Sequence, residues 1–267
     1  MTNHFKGWLS DEHKDTFDVW NKMSRCQFNY IFSSFEENKY LLENLNKNEI
    51  DSILDYGCSS GYVKRYLNLK NFNNVKYNGF DISAKSVNIA KKKYGENFFF
   101  NDASQILDKK YDLVYSRDTI LHQPNPWKFI DEIVSKTKKK LILRLRTRDF
   151  GNTLLDVDKS CQLIAGEYWV PYIVLNFEEF INYLSTKGFK SIKANRSYSK
   201  LGGHNSRFLE KSLYLKKTGT SETSIVASYE AENLKGIEET FNLEGHNYLK
   251  QKKYLSIFYK ILNKLRV

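Results

Sequence analysis

The chain has 267 residues, with 42 Lys+Arg against 31 Asp+Glu, a formal net charge of +11, and 41% hydrophobic residues. That apolar share supports a folded core and excludes wholesale disorder, and the length suits one sizeable domain with appendages. The three cysteines, Cys26, Cys58 and Cys161, lie far apart without CxxC or Cys/His spacing, which argues against a disulfide framework and a zinc site and sets the expectation of no metal.

From the amino end, Asp11 to Asn46 reads as one or two helices rich in aromatics (Phe17, Trp20, Phe28, Tyr30, Phe32, Phe35), so residues 1–50 are expected to form a helical cap. Apolar runs of strand length then alternate with helix-like stretches. The expected strands are Ser52 to Tyr56, Lys76 to Asp81, Asn97 to Phe100, Tyr111 to Ser116, Lys140 to Arg146, Phe189 to Ala194 and Phe208 to Leu215. Between them Ser83 can cap a helix to Tyr94, and Asn125 with Pro126 at the first helical position opens one to Lys136. Asn176 followed by Glu179 starts a third helix to Lys187, which Gly188 ends. The alternation predicts an α/β fold, a Rossmann-like doubly wound sheet of seven strands within residues 51–217. Residues 149–176 interrupt it after the fifth strand and carry Tyr168, Trp169 and Tyr172, as a lid or substrate wall would.

Residues 218–267 read as a C-terminal extension that splits by charge. Thr218 to Gly245 has six Glu against one Lys, whereas His246 to Val267 has five Lys and one Arg and no acid. In the second part Leu249, Ile257, Phe258, Ile261, Leu262 and Leu265 fall at helical spacing, which predicts a basic amphipathic helix. Docking on its own domain or on a second copy is the expected role, and attachment to an anionic membrane surface the alternative. Met1 to Ser10 has no apolar core of signal-peptide length and no apolar run approaches the ~20 residues of a membrane span, so a cytoplasmic location is expected.

The strongest chemical signal is Ile53-Leu54-Asp55-Tyr56-Gly57-Cys58-Ser59-Ser60-Gly61, a buried strand running into a glycine-containing turn. Glycine there lets the backbone approach a ligand, and Asp55 suits a cationic group on it. The next strand ends at Gly79-Phe80-Asp81, placing a carboxylate 20 residues after Gly61, where it can accept hydrogen bonds from ribose hydroxyls. Asp102 follows the third strand at the edge of the same crevice, in position to accept from an adenine amino group. A dehydrogenase also ends its second strand with an acid, but its GxGxxG fingerprint is missing from Gly57 to Gly61.

With these residues in place the sequence resembles the class I S-adenosylmethionine-dependent methyltransferases, over about Asp51 to Leu215. The resemblance rests on the DxGxxxG turn at Asp55, Gly57 and Gly61, on Asp81 and Asp102, on the fourth-strand segment Tyr111 to Ser116, and on a final strand pair around Gly188-Phe189 and Leu213. It implies an antiparallel last strand between the fifth and sixth, and S-adenosylmethionine as cofactor with S-adenosylhomocysteine as product. By position it implies that Gly57 with Cys58, Ser59 and Gly61 faces the methionine part, that Asp81 with its neighbour Ile82 holds the ribose, that Asp102 with Ala103 flanks the adenine, and that Ser116 borders the cofactor. Ser59 departs from the commoner GxGxG turn at its middle position.

For the acceptor, Ser116-Arg117-Asp118-Thr119-Ile120-Leu121-His122 occupies the carboxyl end of the fourth strand, where substrate-facing residues gather. No [DNS]-P-P-[YFW] motif stands there, which lowers the case for methylation of base amino groups. His122 is the first general-base candidate because imidazole titrates near neutrality, and His204 in Leu201-Gly202-Gly203-His204-Asn205 is the second. In the fifth strand Arg144, Arg146 and Arg148 recur with period two and so share one face, where each needs a partner if buried. Pairing with internal acids such as Asp118 is one reading. The other is that Arg146, with Arg144, Arg117 and Arg207, binds an anionic acceptor, phosphate-bearing or nucleotide-linked, while Tyr168 lines its wall.

The expectation is therefore a methyltransferase acting on a small anionic molecule, most readily at oxygen, in surface-glycan or secondary-metabolite biosynthesis. An RNA methyltransferase and a non-catalytic subunit that keeps the fold to bind a partner are the competing readings. The positive charge speaks for the former, but no separate RNA-binding module is evident and nucleic acid is not the expected partner.

Overall fold

The computed structural model describes residues 6–9, 20–157, 159–164, 168–198, 207–208, 220–231 and 237–241. A short helix α1 (Lys6–Leu9) precedes α2 (Arg25–Ser33) and α3 (Glu36–Asn46). Ser24 caps α2 by accepting from the Gln27 amide at 3.2 Å, and Phe28, Ile31 and Phe32 fall on its buried face at helical spacing. The Rossmann-like part follows as β1 (Ser52–Tyr56), α4 (Tyr62–Leu69), β2 (Lys76–Phe80), α5 (Ala84–Tyr94), β3 (Phe99–Phe100), β4 (Tyr111–Arg117), α6 (Pro126–Ser135) and β5 (Thr137–Arg148). The caps expected from sequence form: Ser83 accepts from the Ser86 amide at 3.3 Å and Asn125 from the Lys128 amide at 3.0 Å, with Pro126 opening α6.

Beyond β5 come β6 (Cys161–Ile164), β7 (Tyr168–Pro171), β8 (Leu175–Asn176), α7 (Phe177–Thr186), β9 (Ser191–Tyr198), β10 (Arg207–Phe208), β11 (Ser221–Ser228) and β12 (Ile237–Phe241). Among the described residues the main sheet has the order β12-β9-β11-β5-β4-β1-β2-β3, with β8 paired to β5. Strands β1 to β5 run parallel, and β11 lies antiparallel between β5 and β9. The interrupting segment forms the hairpin β6–β7, which β10 extends into a second, three-stranded sheet.

Three expectations are corrected. The antiparallel strand expected at Phe208 to Leu215 is Ser221–Ser228, and Phe208 pairs instead with Cys161 in the small sheet. Its amino half disguises it: Ser221 and Thr223 are polar but buried, and share hydrogen bonds with the Thr147 hydroxyl at 2.9 and 2.7 Å. The core edge therefore does not fall at residue 217, because β11 and β12 continue the sheet. The third strand shrinks to Phe99–Phe100, since Glu96–Phe98 forms a 3-10 turn. The expected helix at His246 to Val267 lies outside the described residues, as does His204.

Alternation along the strands divides the interior into two layers. Leu54, Val114, Leu141 and Leu143 pack with Phe129, Ile130 and Ile133 of α6 and with Phe180 and Leu184 of α7. Ile53, Leu113, Tyr115 and Ile142 pack with Phe28 and Phe32 of α2, Tyr40 and Leu41 of α3, and Tyr66 and Leu67 of α4. Helices α2 and α3 thus share the sheet's own core and do not form a separate body.

Candidate active site

The carboxyl ends of β1, β2 and β4 converge on the turn after β1. Gly57 and Gly61 adopt left-handed φ values of 88° and 84°, which a side chain would strain. Ser59 also sits at φ 49°, so the departure from the commoner glycine pattern is accommodated by a serine in the left-handed region. The turn is tied to β2: the Gly57 and Cys58 amides donate to the Phe80 carbonyl at 2.8 and 3.0 Å. Asp81 fixes its tip, with one carboxylate oxygen accepting from the Ser59 amide at 2.8 Å and the other from the Ser83 amide at 2.9 Å. Burial raises the Asp81 carboxyl above its ordinary range, and the two amides work against that shift.

Asp55 lies buried beneath the turn and accepts from the Tyr77 hydroxyl at 2.6 Å. Burial pushes its carboxyl up to about 7 despite that hydrogen bond, with the nearby Asp81 charge adding to the rise. Ile82 is 41% exposed beside Asp81, an uncovered apolar side chain suited to a flat ring. Asp102 is exposed and accepts from the Ser104 amide at 2.9 Å, which holds its carboxyl below the usual range, and Ala103 is exposed next to it.

Two expected cofactor contacts are turned elsewhere. The Cys58 thiol is buried and directed to the Ser59 carbonyl at 3.6 Å, with burial raising its pKa. The buried Ser116 hydroxyl donates to the Tyr56 carbonyl at 2.8 Å, which locks β4 to β1. Thr119 does the same from the following loop, donating toward the carbonyls of Tyr56 at 3.3 Å and Arg117 at 3.2 Å.

His122 stands at the end of the β4 loop with Nδ1 2.8 Å from the Pro171 carbonyl. A carbonyl can only accept, so Nδ1 carries the proton and Nε2 is the basic nitrogen. The Trp8 ring of α1 lies 4.6 Å from the imidazole and Tyr172 lies 6.1 Å away, so helix α1, the β4 loop and the inserted hairpin meet at this residue.

Beside it three of the four arginines expected to bind an anionic acceptor, Arg117, Arg144 and Arg146, are paired with three carboxylates. Arg117 Nε lies 3.0 Å from Glu37. Arg144 reaches Asp118 at 3.1 Å and Glu222 at 2.5 Å. Arg146 reaches Asp118 at 3.0 Å and Glu222 at 3.1 Å, and donates through Nε to the Tyr172 hydroxyl at 3.1 Å. The forks of Arg144 and Arg146 are thus taken by internal acids, as desolvation requires of buried guanidinium, and are not turned to an outside anion. The side chains of Asp118 and Glu222 are 32% and 28% exposed against 9% and 7% for Arg144 and Arg146, so the two acids lie nearer the surface and the arginines beneath them. Burial would raise both acids, but the arginines outweigh it: Asp118 is held well below the carboxylate range and Glu222 falls to about 2. Asp118 adopts φ 56°, a strained value for a residue with a side chain. Tyr168 is half-buried on β7, and Tyr172 is the residue of that hairpin that touches an arginine. Of Arg207 only the backbone is described, in β10. Sequence reasoning missed Glu37, Glu222 and Trp8, each brought in from a distant part of the chain. Among the described residues no group of three or more His, Cys, Asp or Glu side chains could hold a metal ion, and no helix is long and apolar enough to cross a membrane.

The sheet order, the antiparallel β11 and the acids closing β1 and β2 define the class I S-adenosylmethionine-dependent methyltransferase fold. Comparison gives the family: a model described as a methyltransferase domain matches residues 29–198, and the chain belongs to that family. A phosphoethanolamine N-methyltransferase of Plasmodium falciparum is 37% identical over 101 residues, 35% of this chain and 37% of the relative. A malonyl-[acyl-carrier protein] O-methyltransferase 1 of Ilyobacter polytropus is 38% identical over 153 residues, 55% of this chain and 56% of the relative. The matched stretches thus span 37% and 56% of those proteins. Among solved structures, the O-methyltransferase of a trans-AT PKS multienzyme from Brevibacillus brevis, in complex with S-adenosylhomocysteine, superposes with a TM-score of 0.51 at 13% identity, covering 83% of this chain and 78% of that one. The plantazolicin methyltransferase BpumL gives 0.50 at 17%, covering 84% and 94%. These likenesses support the fold.

Proposed function

We propose that the chain transfers the methyl group of S-adenosylmethionine to a hydroxyl or amine of a small, phosphate-bearing or otherwise anionic acceptor. The observation that carries the cofactor reading is the left-handed glycine turn fixed by Asp81, with the Asp55 carboxylate beneath it. The donor set fits the cofactor: Asp81 retains lone pairs for ribose hydroxyls, Ile82 offers an apolar face to the adenine, Asp102 stands at its edge, and the acidic Asp55 suits a cationic methionine end. The cofactor supplies an electrophilic methyl on a sulfonium. The protein's own work is to orient the acceptor, exclude water and receive a proton.

Two features support the acceptor assignment. Asp118 and Glu222 place part-exposed acidic side chains at the carboxyl edge of β4 and β5, which suits a proton-donating hydroxyl or amine, and His122 Nε2 is the base that takes its proton. An anionic part of the acceptor lies farther out, because the floor arginines are already neutralised. The names of the two relatives fit this reading, since phosphoethanolamine and malonyl groups are both small anions. Attack at oxygen is our first assignment and attack at nitrogen the alternative. The test is calorimetric titration with S-adenosylmethionine and S-adenosylhomocysteine, followed by labelled methyl transfer to phosphorylated amino alcohols, nucleotide-linked sugars and dicarboxylates. Absence of binding to both cofactor forms would reject the reading.

A further inference from the structure

We infer that Glu37 is a positioning residue for the acceptor: from helix α3 it fixes Arg117 and Arg144, and through them it sets the direction of the Asp118 carboxylate. The inference rests on the proposed reading of Asp118 as an acceptor-facing group.

Glu37 lies in the first turn of α3 and is 1% exposed, far from any solvent that could screen it. One of its oxygens is 3.0 Å from Arg117 Nε and 3.9 Å from Arg144 Nε, and the other accepts from the Ser224 hydroxyl of β11 at 2.8 Å. The Arg117 guanidinium stacks 4.0 Å over the Phe35 ring and also approaches Asp118 at 3.7 Å. The Arg144 guanidinium lies 5.0 Å over the same ring. Arg117, Arg144 and Arg146 are thus balanced by Glu37, Asp118 and Glu222, and Glu37 is the acid of the six that comes from a helix and not from the sheet or its loops.

Removing the Glu37 charge leaves Arg117 facing Asp118 at 3.7 Å, while Arg144 keeps Glu222 at 2.5 Å and Asp118 at 3.1 Å. The Asp118 carboxylate is then drawn toward Arg117, and its direction toward the acceptor is lost. Glu37→Gln keeps the side-chain shape and can keep the acceptor for Ser224, while the charge is lost and an amide donor replaces the oxygen that faces Arg117.

Two readouts test this on the full chain. Glu37→Gln should raise the acceptor KM by about tenfold, the scale of one lost charge-assisted contact, while the S-adenosylmethionine Kd stays within about twofold. Glu37→Asp, which keeps the charge, should recover much of the loss, as should the charge-balanced double variant Glu37→Gln with Arg117→Gln. Independently of turnover, urea unfolding of Glu37→Gln, Asp118→Asn and the double variant should be non-additive by about fivefold or more in the unfolding constant, although the two acids do not touch. Additive unfolding, or an unchanged acceptor KM in a folded Glu37→Gln protein, overturns the inference. If the wild-type chain methylates none of the acceptors, the proposed function fails and the acceptor-positioning role of Glu37 with it, while the unfolding cycle still reads whether Glu37 is coupled to Asp118.

Discussion

Replacing Gly57 by alanine tests whether the turn after β1 is the cofactor's seat. A Cβ built on Gly57 would lie 2.0 Å from Thr119 Oγ1, and ordinary contact begins at 3.4 Å, so the shortfall is 1.4 Å. Thr119 cannot simply rotate away, because its hydroxyl donates to the carbonyls of Tyr56 and Arg117. The φ of 88° adds the left-handed penalty, about 1–2 kcal/mol for a residue with a side chain. Loss of one hydroxyl hydrogen bond adds ~0.5–1.5 kcal/mol. Relief comes by moving the turn off its position, so a total of about 2–3 kcal/mol should appear largely in cofactor affinity, a loss of roughly 30–150-fold. Calorimetric titration with S-adenosylhomocysteine reads it directly, with thermal unfolding in parallel. A Kd within threefold of wild type in a folded Gly57→Ala protein would refute the placement of the cofactor against this turn.

Three more outcomes follow from the same geometry. Asp81→Asn keeps the side-chain shape but replaces one of the two acceptor oxygens that hold the Ser59 and Ser83 amides, so S-adenosylhomocysteine affinity should fall by about tenfold or more, and calorimetry checks it. The Asp55 carboxyl is raised from 3.8 to about 7, so between those values the unfolded chain ionises before the folded one; its contribution to stability falls as pH rises through that window and levels off above 7. Asp55→Asn should flatten that slope in urea midpoints measured from pH 4 to pH 8, and an unaltered slope would remove Asp55 as its source. His122→Gln should lower kcat by ~10²–10⁴-fold with cofactor binding unchanged, as loss of a general base does, and steady-state kinetics beside calorimetry separates the two effects.

The parts of the molecule that sequence reading captured are those encoded locally. Asp55-Tyr56-Gly57 was legible because a buried strand, an acid and a glycine turn are consecutive, and Ser83, Asn125 and Asn176 cap helices three residues away. The period-two arginines of β5 correctly announced one shared face, but not which groups would meet them. Glu37 pairs with Arg117 across 80 positions of chain and Ser224 reaches Glu37 across 187, distances at which no spacing rule operates. Strand β11 escaped for a different reason. Its hydroxyl residues satisfy one another and Thr147 in the interior, so a segment that reads as polar tail is buried sheet, and Glu222 went with it.

The placement of charge along β5 argues that the ionic floor exists for the site and not for stability. After the buried Lys140, which pairs with Glu49 near the strand's amino end, Leu141, Ile142 and Leu143 are fully buried and apolar, and the guanidinium groups begin only at Arg144, where the strand nears its carboxyl end. Buried ion pairs are weak stabilisers, since desolvation offsets most of their attraction, and apolar residues of similar size often serve a core equally well. Tertiary stability alone would therefore favour continuing the leucine pattern to the end of the strand. The arginines instead hold two part-exposed acidic side chains ionised and in fixed directions beside His122, including an Asp118 kept in a strained backbone conformation. An acceptor that needs its hydrogens directed and its reacting atom aligned gains from such rigidity, because misplacement by about 1 Å costs ~10²-fold in rate. On this argument, apolar replacement of the whole network would leave the protein folded and its cofactor bound, while the acceptor lost its orientation.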